Sequence, residues 1–323
     1  MENTLEISNI SYRKKDEMAR NINTPPEILA ALAKDKYAKL IVAMNPNVPS
    51  EVLETLAEDE NIRVRMAVAE NEHTPSYILE KLSKDADFVV RCSVAKNKST
   101  PSHILAVLAN DKECVVCENV ARNGNASIES LSLLAKKNDV MVRWAVASNP
   151  HTSANTLNEL ATDTEKCVRL SVAKHINTSA ETLADLAKCK ENSVRCAVTF
   201  NPNTTSDMLV LLSKDEDWEI REGVACNEKT PIDVLETLAN DEEVGVRYDV
   251  ARNNKTPLGL LILLANDEDS FVREGVAQNK NTPLEIITSL SKDKDHCVRR
   301  EANKALVERK VKNKSNMKND YEF

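Results

Sequence analysis

The chain of 323 residues carries 43 Lys and Arg against 51 Asp and Glu, a formal net charge of -8, with 41% apolar residues, 3% aromatic ones and 5 glycines. Gly124, Gly223, Gly245, Gly259 and Gly275 lie too far apart for a G-x-G-x-x-G, a Walker loop or a G-x-S-x-G elbow, which excludes those nucleotide-binding and hydrolase classes. The same scarcity of Gly and aromatics excludes an all-β chain, and the acidic balance disfavours a general phosphate-binding surface.

In chain order, residues 1–20 contain no apolar leader segment and are expected to form an N-terminal cap. No run of ~18 apolar residues occurs anywhere, so a soluble, cytoplasmic protein is expected. The 8 Cys at irregular spacing read as reduced thiols rather than a disulfide framework.

From Thr24 onward the chain repeats itself. Equivalent places fall at Val48 and Thr74. They then recur every 26 residues, at Thr100, Ala126, Thr152, Thr178, Thr204, Thr230, Thr256 and Thr282. That makes eleven units, the first shortened by two residues. Each unit predicts two helices. The first is expected to span about ten residues, with Thr as N-cap, Pro in the first turn and an acid three after the Thr, as in Thr24-Pro25-Pro26-Glu27. Leu or Ile five places after the anchor, and Leu eight after it, form one apolar stripe. The second helix carries V-R-x-x-V-A, as in Val64-Arg65 with Val68-Ala69. It ends at an Asn three before the next anchor, read as a left-handed C-cap, with His175 the exception. The units at Ala126, Thr152, Thr178 and Thr204 lack the Pro, which predicts looser caps and a more flexible middle third. Such helix pairs cannot bury their apolar faces alone but can do so against stacked neighbours, so an all-α solenoid over residues 21–307 is expected. Residues 308–323 read as a polar, flexible tail containing Arg309, Lys310, Lys312, Lys314 and Lys318.

This unit, N-x-x-T-P-x-E-x-L-x-x-L-A-x-D-x(4)-V-R-x-x-V-A, resembles the variant leucine-rich repeat, a bacterial helical repeat, and its Asp and Val-Arg core is similar to the HEAT repeat. The resemblance covers about 280 residues. It implies a right-handed superhelix of eleven two-helix repeats whose second helices line the concave side and are short or partly 3₁₀. The founding variant-repeat protein has an N-terminal iron–sulfur domain. Here the first Cys is Cys92, so that activity is not implied.

Arg65, Arg91, Arg143, Arg169, Arg195, Arg221, Arg247, Arg273 and Arg299 stand in one column, which a nucleic acid could read as a phosphate stripe. Six residues before seven of them stand Asp59, Asp85, Asp163, Asp215, Asp241, Asp267 and Asp293. The HEAT resemblance implies that these Asp and Arg form a structural ladder, which leaves a guanidinium little for phosphate. Arg195, with Cys189 in the Asp place, is then expected to matter less to stability than Arg221. Cys114 and Cys117 form the only C-x-x-C, but no four-ligand set accompanies them. The pair His296-Cys297 and the pair Cys189 and Cys196 are weaker candidates. No metal, cofactor or catalytic constellation is expected.

The exposed side of the second helices, which the HEAT resemblance places along the concave face, departs from a plain solvated surface. Met66, Trp144, Leu170, Phe200, Tyr248 and Arg252 lie one or five places after the Arg column, on a face whose charges nearly cancel. Aromatic and Arg anchors suit a polypeptide partner, so a non-catalytic protein–protein interaction scaffold is expected. The alternative is a HEAT-like nucleic-acid-binding protein of the DNA-repair or regulatory type, which would need a basic groove.

Overall fold

A computed structural model describes residues 10–319, with side chains described through Arg309. Every regular element among the described residues is an α-helix, 23 in all. The chain divides into two compact units, Met1–Asn177 and Thr178–Phe323.

In the first unit α1 (Tyr12–Arg20) precedes six helix pairs: α2 (Pro26–Leu32) with α3 (Lys39–Met44), α4 (Ser50–Leu56) with α5 (Ile62–Glu70), α6 (Ser76–Leu82) with α7 (Phe88–Lys96), α8 (Ser102–Leu108) with α9 (Cys114–Arg122), α10 (Ile128–Leu134) with α11 (Val140–Ser148), and α12 (Ala154–Leu160) with α13 (Lys166–Lys174). The second unit holds five: α14 (Ala180–Leu186) with α15 (Asn192–Thr199), α16 (Ser206–Leu212) with α17 (Trp218–Cys226), α18 (Ile232–Leu238) with α19 (Val244–Arg252), α20 (Leu258–Leu264) with α21 (Ser270–Gln278), and α22 (Leu284–Leu290) with α23 (His296–Asn319). The helix lengths reverse the expectation. First helices are seven residues long, and most second helices are nine residues of α-helix with no 3₁₀ turn. α23 runs on as helix to Asn319; residues 320–323 of the expected tail, and 1–9 of the expected cap, lie outside the described residues.

The stripe residues form the core. Leu79, Leu82, Val90 and Val94 are buried, and so are their counterparts in every unit. Each such side chain contributes about 1.5–3 kcal/mol.

Two polar devices fix the turns, and both differ from the sequence expectation. The anchor Thr is not the N-cap. Buried Thr74 Oγ1 donates to the Val68 carbonyl at 2.6 Å, and Thr100, Thr152, Thr230 and Thr282 repeat the bond, closing the preceding helix. The N-cap is the following residue. Pro75 has φ -58 and ψ 148 and no side chain that can cap. Where Pro is missing, Ser127, Ser153 and Ser179 cap through Oγ, accepting from the N–H groups of Ser130, Thr156 and Thr182 at 3.2 Å. Three of the four Pro-less repeats therefore gain a side-chain cap, while Thr205 in the fourth makes no such bond.

The Asn that ends each second helix is extended, not left-handed: Asn71 has φ -70 and ψ 118, and no described non-Gly residue has positive φ. Its amide stitches repeats together. Asn71 Nδ2 donates to the Ala43 and Asn45 carbonyls of the preceding repeat at 2.9 and 3.0 Å, while Oδ1 accepts the His73 N–H at 2.9 Å. The same set recurs at Asn97, Asn123 and Asn149 in the first unit and at Asn253 and Asn279 in the second. His175 performs both tasks with one ring: Nδ1 accepts the Asn177 N–H at 3.0 Å, and Nε2 lies 2.8 Å from the Asn149 carbonyl. It too stitches successive repeats together.

Candidate protein-interaction face

The Arg column is consumed inside the array, by a pairing one repeat further on than the register suggested. Arg65 binds Asp85, Arg91 binds Asp111 and Arg143 binds Asp163 in the first unit. In the second, Arg195 binds Asp215, Arg221 binds Asp241, Arg247 binds Asp267 and Arg273 binds Asp293. Each pair is bidentate. In the first, Nε to Oδ2 is 2.7 Å and Nη2 to Oδ1 is 3.0 Å. Partners are thus twenty residues apart. The Asp six residues upstream contributes its backbone instead: Arg65 Nη1 donates to the Asp59 carbonyl at 2.9 Å, and Arg169 and Arg299 reach the Asp163 and Asp293 carbonyls in the same way. Any residue supplies a carbonyl, so Cys189 serves Arg195 at 2.8 Å and Lys137 serves Arg143 at 3.0 Å. The expectation that Arg195 is the poorly held member is therefore corrected.

The offset also shows members that the sequence reading passed over. Lys15–Asp35 at 2.7 Å and Lys39–Asp59 at 2.5 Å begin the ladder, with Lys in the Arg place. Asp111 has no Arg six residues on, because its own repeat carries Cys117 there. Twenty residues after Cys117 stands Lys137, so both members of that pair are lost together. The Cys117 thiol is left to donate to the Asp111 carbonyl at 3.4 Å. Burial alone would raise the Asp85 carboxyl. Its bonds from Arg65 and the Asp87 N–H, with the charges of Arg65 and Arg91, outweigh burial and hold it below the usual carboxylate range. Asp111, Asp163, Asp215 and Asp241 behave alike.

With the guanidinium groups turned inward, the outer face of the second helices presents other chemistry. In the first unit Met66, Trp144 and Leu170 are half-buried, and the Arg122 guanidinium roofs the Trp144 ring at 4.8 Å while bonding Glu118 at 2.7 Å. Met44, on the same face, is 61% exposed. Shallow grooves run between the C-terminal ends of successive second helices. One between α11 and α13 is lined by Ser148, Pro150, Ser171, Lys174 and Ile176.

In the second unit Phe200 is 63% exposed. Tyr248 is half-buried, stacked on Phe271 with centroids 3.8 Å apart, and its hydroxyl donates to Gln278 at 3.2 Å. Exposed Arg252 lies 5.3 Å over the Tyr248 ring and 4.0 Å from Asp249. Trp218 and Phe271, at the start of their helices, add partly exposed rings that the sequence reading did not use, although they stand three and two places before the Arg column. Asp249 is buried where most other repeats carry Ala, Ser or Gly, and burial lifts its carboxyl above the usual range. Burial, then the neighbouring carboxylates, also raises Glu222. Burial and the bond to Asp249 push the Cys226 thiol up to about 12, so it stays protonated although the residue as a whole is exposed. Gly275 lets α19 and α21 approach closely. A Cβ there would fall 2.9 Å from Tyr248 Cδ2 and 3.1 Å from the Tyr248 carbonyl oxygen.

Cys114 is exposed and Cys117 buried, and neither belongs to a three-donor group among the described residues. No helix among them is long and apolar enough to cross a membrane.

Stacked helix pairs with inter-repeat stitches define the class: each unit is an α-solenoid. No known family's sequence description matches the chain, and no curated protein does. Among solved structures it is similar to a leucine-rich repeat variant with a repetitive structural motif, at 22% identity and a TM-score of 0.52, over 72% of this chain and 88% of that one. The particular fold is therefore that of the variant leucine-rich repeat. Looser likenesses are to a chain in the structure of Kap95p with RanGDP (11% identity, TM-score 0.43, 94% of this chain and 51% of that one) and to importin beta (10%, 0.32, 94% and 47%).

Proposed function

We propose that the chain is a non-catalytic scaffold that binds a polypeptide partner on the outer face of its second helices. The observation that carries this reading is a division of labour within those helices. Seven Arg side chains are spent on half-buried Asp partners, while large apolar groups such as Met44 and Phe200 stand out on the adjoining face. Groups of this kind, with Arg122 and Arg252 beside aromatic rings, are typical anchors of protein contacts, worth ~2 kcal/mol or more each when truncated. In the first unit the contact involves Met66, Trp144 and Leu170; in the second, Phe200, Tyr248 and Arg252. The paired ladder counts against the nucleic-acid alternative, because a bidentate guanidinium has no free edge for phosphate. Arg309, the first basic residue of the C-terminal segment, donates to the Thr282 and Lys280 carbonyls.

The test is affinity capture from the native host with wild type and with Trp144→Ala/Phe200→Ala. Loss of a partner at unchanged melting temperature supports the face. Retention of every partner, or a nucleic-acid mobility shift surviving ~0.2 M salt, overturns it.

A further inference from the structure

The start of α23 brings three different metal-binding groups together. Position by position, the tripeptide Asp295-His296-Cys297 corresponds to Asp87-Phe88-Val89, Asp139-Val140-Met141 and Asp269-Ser270-Phe271 of other repeats. The acid is part of the repeat, since it caps the second helix. The next two places take residues as different as Ile, Lys, Ser and Gly, so repeat packing does not dictate them. Only the last repeat fills both with ligand-forming side chains. Among the described residues this is the one group of three His, Cys, Asp or Glu whose donor atoms come together, all within 4.8 Å of one another.

We propose that Asp295, His296 and Cys297 form a three-donor site for a borderline divalent transition metal of the zinc class. Cys297 Sγ lies 3.4 Å from His296 Nε2. Zinc–sulfur and zinc–nitrogen bonds of about 2.3 and 2.05 Å at a tetrahedral angle put those atoms ~3.5 Å apart, so this edge is already at chelating distance. Asp295 Oδ1 accepts the Cys297 and Val298 N–H groups at 2.8 and 3.3 Å, which leaves Oδ2 to turn to the metal. One thiolate, one imidazole and one carboxylate suit zinc or cobalt rather than magnesium or calcium, which take oxygen donors. The two anionic ligands also offset the positive end of the helix dipole, which would otherwise repel a cation. On binding, the Cys297 S–H bond breaks, its electron pair forms the S–metal bond and the proton leaves to solvent. Water fills the fourth position. His296 is exposed and the other two half-exposed, so the metal can enter without the array opening.

The experiment is a titration of the reduced full-length protein with cobalt(II) followed by absorbance. Thiolate ligation produces a near-ultraviolet charge-transfer band. One equivalent should develop that band in wild type and in Cys114→Ser, which removes an exposed thiol elsewhere. Cys297→Ser should abolish it, and His296→Gln should weaken cobalt binding at least tenfold, while far-ultraviolet circular dichroism stays that of wild type. Zinc should displace the cobalt and bleach the band. A band that survives Cys297→Ser, an affinity unmoved by His296→Gln, or no band at one equivalent overturns the site.

Discussion

The Arg91–Asp111 pair is the place to break the ladder, because both side chains are under a tenth exposed and the pairing is bidentate, at 2.6 and 2.9 Å. Arg91→Leu leaves the Asp111 carboxylate buried without its counter-charge. It also removes the Nη1 donor from the Asp85 and Ala86 carbonyls. Breaking one side of such a pair costs about 3–5 kcal/mol. Asp111→Leu strands the guanidinium at similar cost and also frees the Glu113 N–H, for about 1 kcal/mol more. Replacing both members leaves no uncompensated charge. The double variant should therefore be less destabilised than the sum of the singles by at least ~2 kcal/mol. Cys117 and Lys137 already show one repeat that folds without the pair. The assay is urea unfolding followed at 222 nm, with hydrogen exchange on residues 83–117 to localise the loss. Singles that add within ~0.5 kcal/mol would refute the ladder as a coupled device. The ladder also fixes an acid limit. Its carboxyls titrate below their unfolded value of about 3.9, so their stabilisation is complete above that pH and is lost as pH falls through the lower, folded values. Thermal melts should therefore drop steeply only below about pH 4.

Arg195→Ala and Arg221→Ala should lower the melting temperature alike, because both residues hold a bidentate Asp one repeat on; a clearly milder Arg195→Ala would return the weight to the upstream place. Gly275→Ala should destabilise by about 1–3 kcal/mol, as overpacking against the Tyr248 backbone exceeds the ~1 kcal/mol of helix propensity gained, and a rise in urea midpoint would contradict the close approach. Asp249→Asn should raise the melting temperature at pH 7. Its carboxyl is lifted by burial, so ionisation opposes folding above that raised value, and the gain should fade as pH falls toward 4. His175→Asn should be nearly neutral, whereas His175→Ala, losing both stitches, should cost about 1–3 kcal/mol; equal melts would remove His175 from the series.

The array was legible from register alone: the Thr, Leu, Val-Arg and Asn places recur every 26 residues, and only stacking can bury their stripe. What the register could not show was contact between repeats. The Asp six residues before Arg221 looked like its partner because sequence distance stands in for space within one repeat. A guanidinium pointing along the stacking direction meets the Asp of the next repeat instead. The paired absence of Arg at Cys117 and of Asp at Lys137 was the available signal. Asn71 likewise read as a left-handed cap by residue type, although its amide reaches backward to Ala43. The candidate face was legible in part. Phe200 stands exposed, but Trp144 lies under Arg122 and Tyr248 against Phe271, contacts that depend on side chains one repeat away.

The claim that the second-helix face binds a polypeptide is tested most directly by site-specific photocrosslinking in the native host. A photoreactive residue replaces Phe200 or Met44 on that face, or Ile128, which is 54% exposed on a first helix. The account predicts a discrete protein adduct from positions 200 and 44 that position 128 does not give. Adducts from position 128 alone, or crosslinks only to nucleic acid, would contradict it.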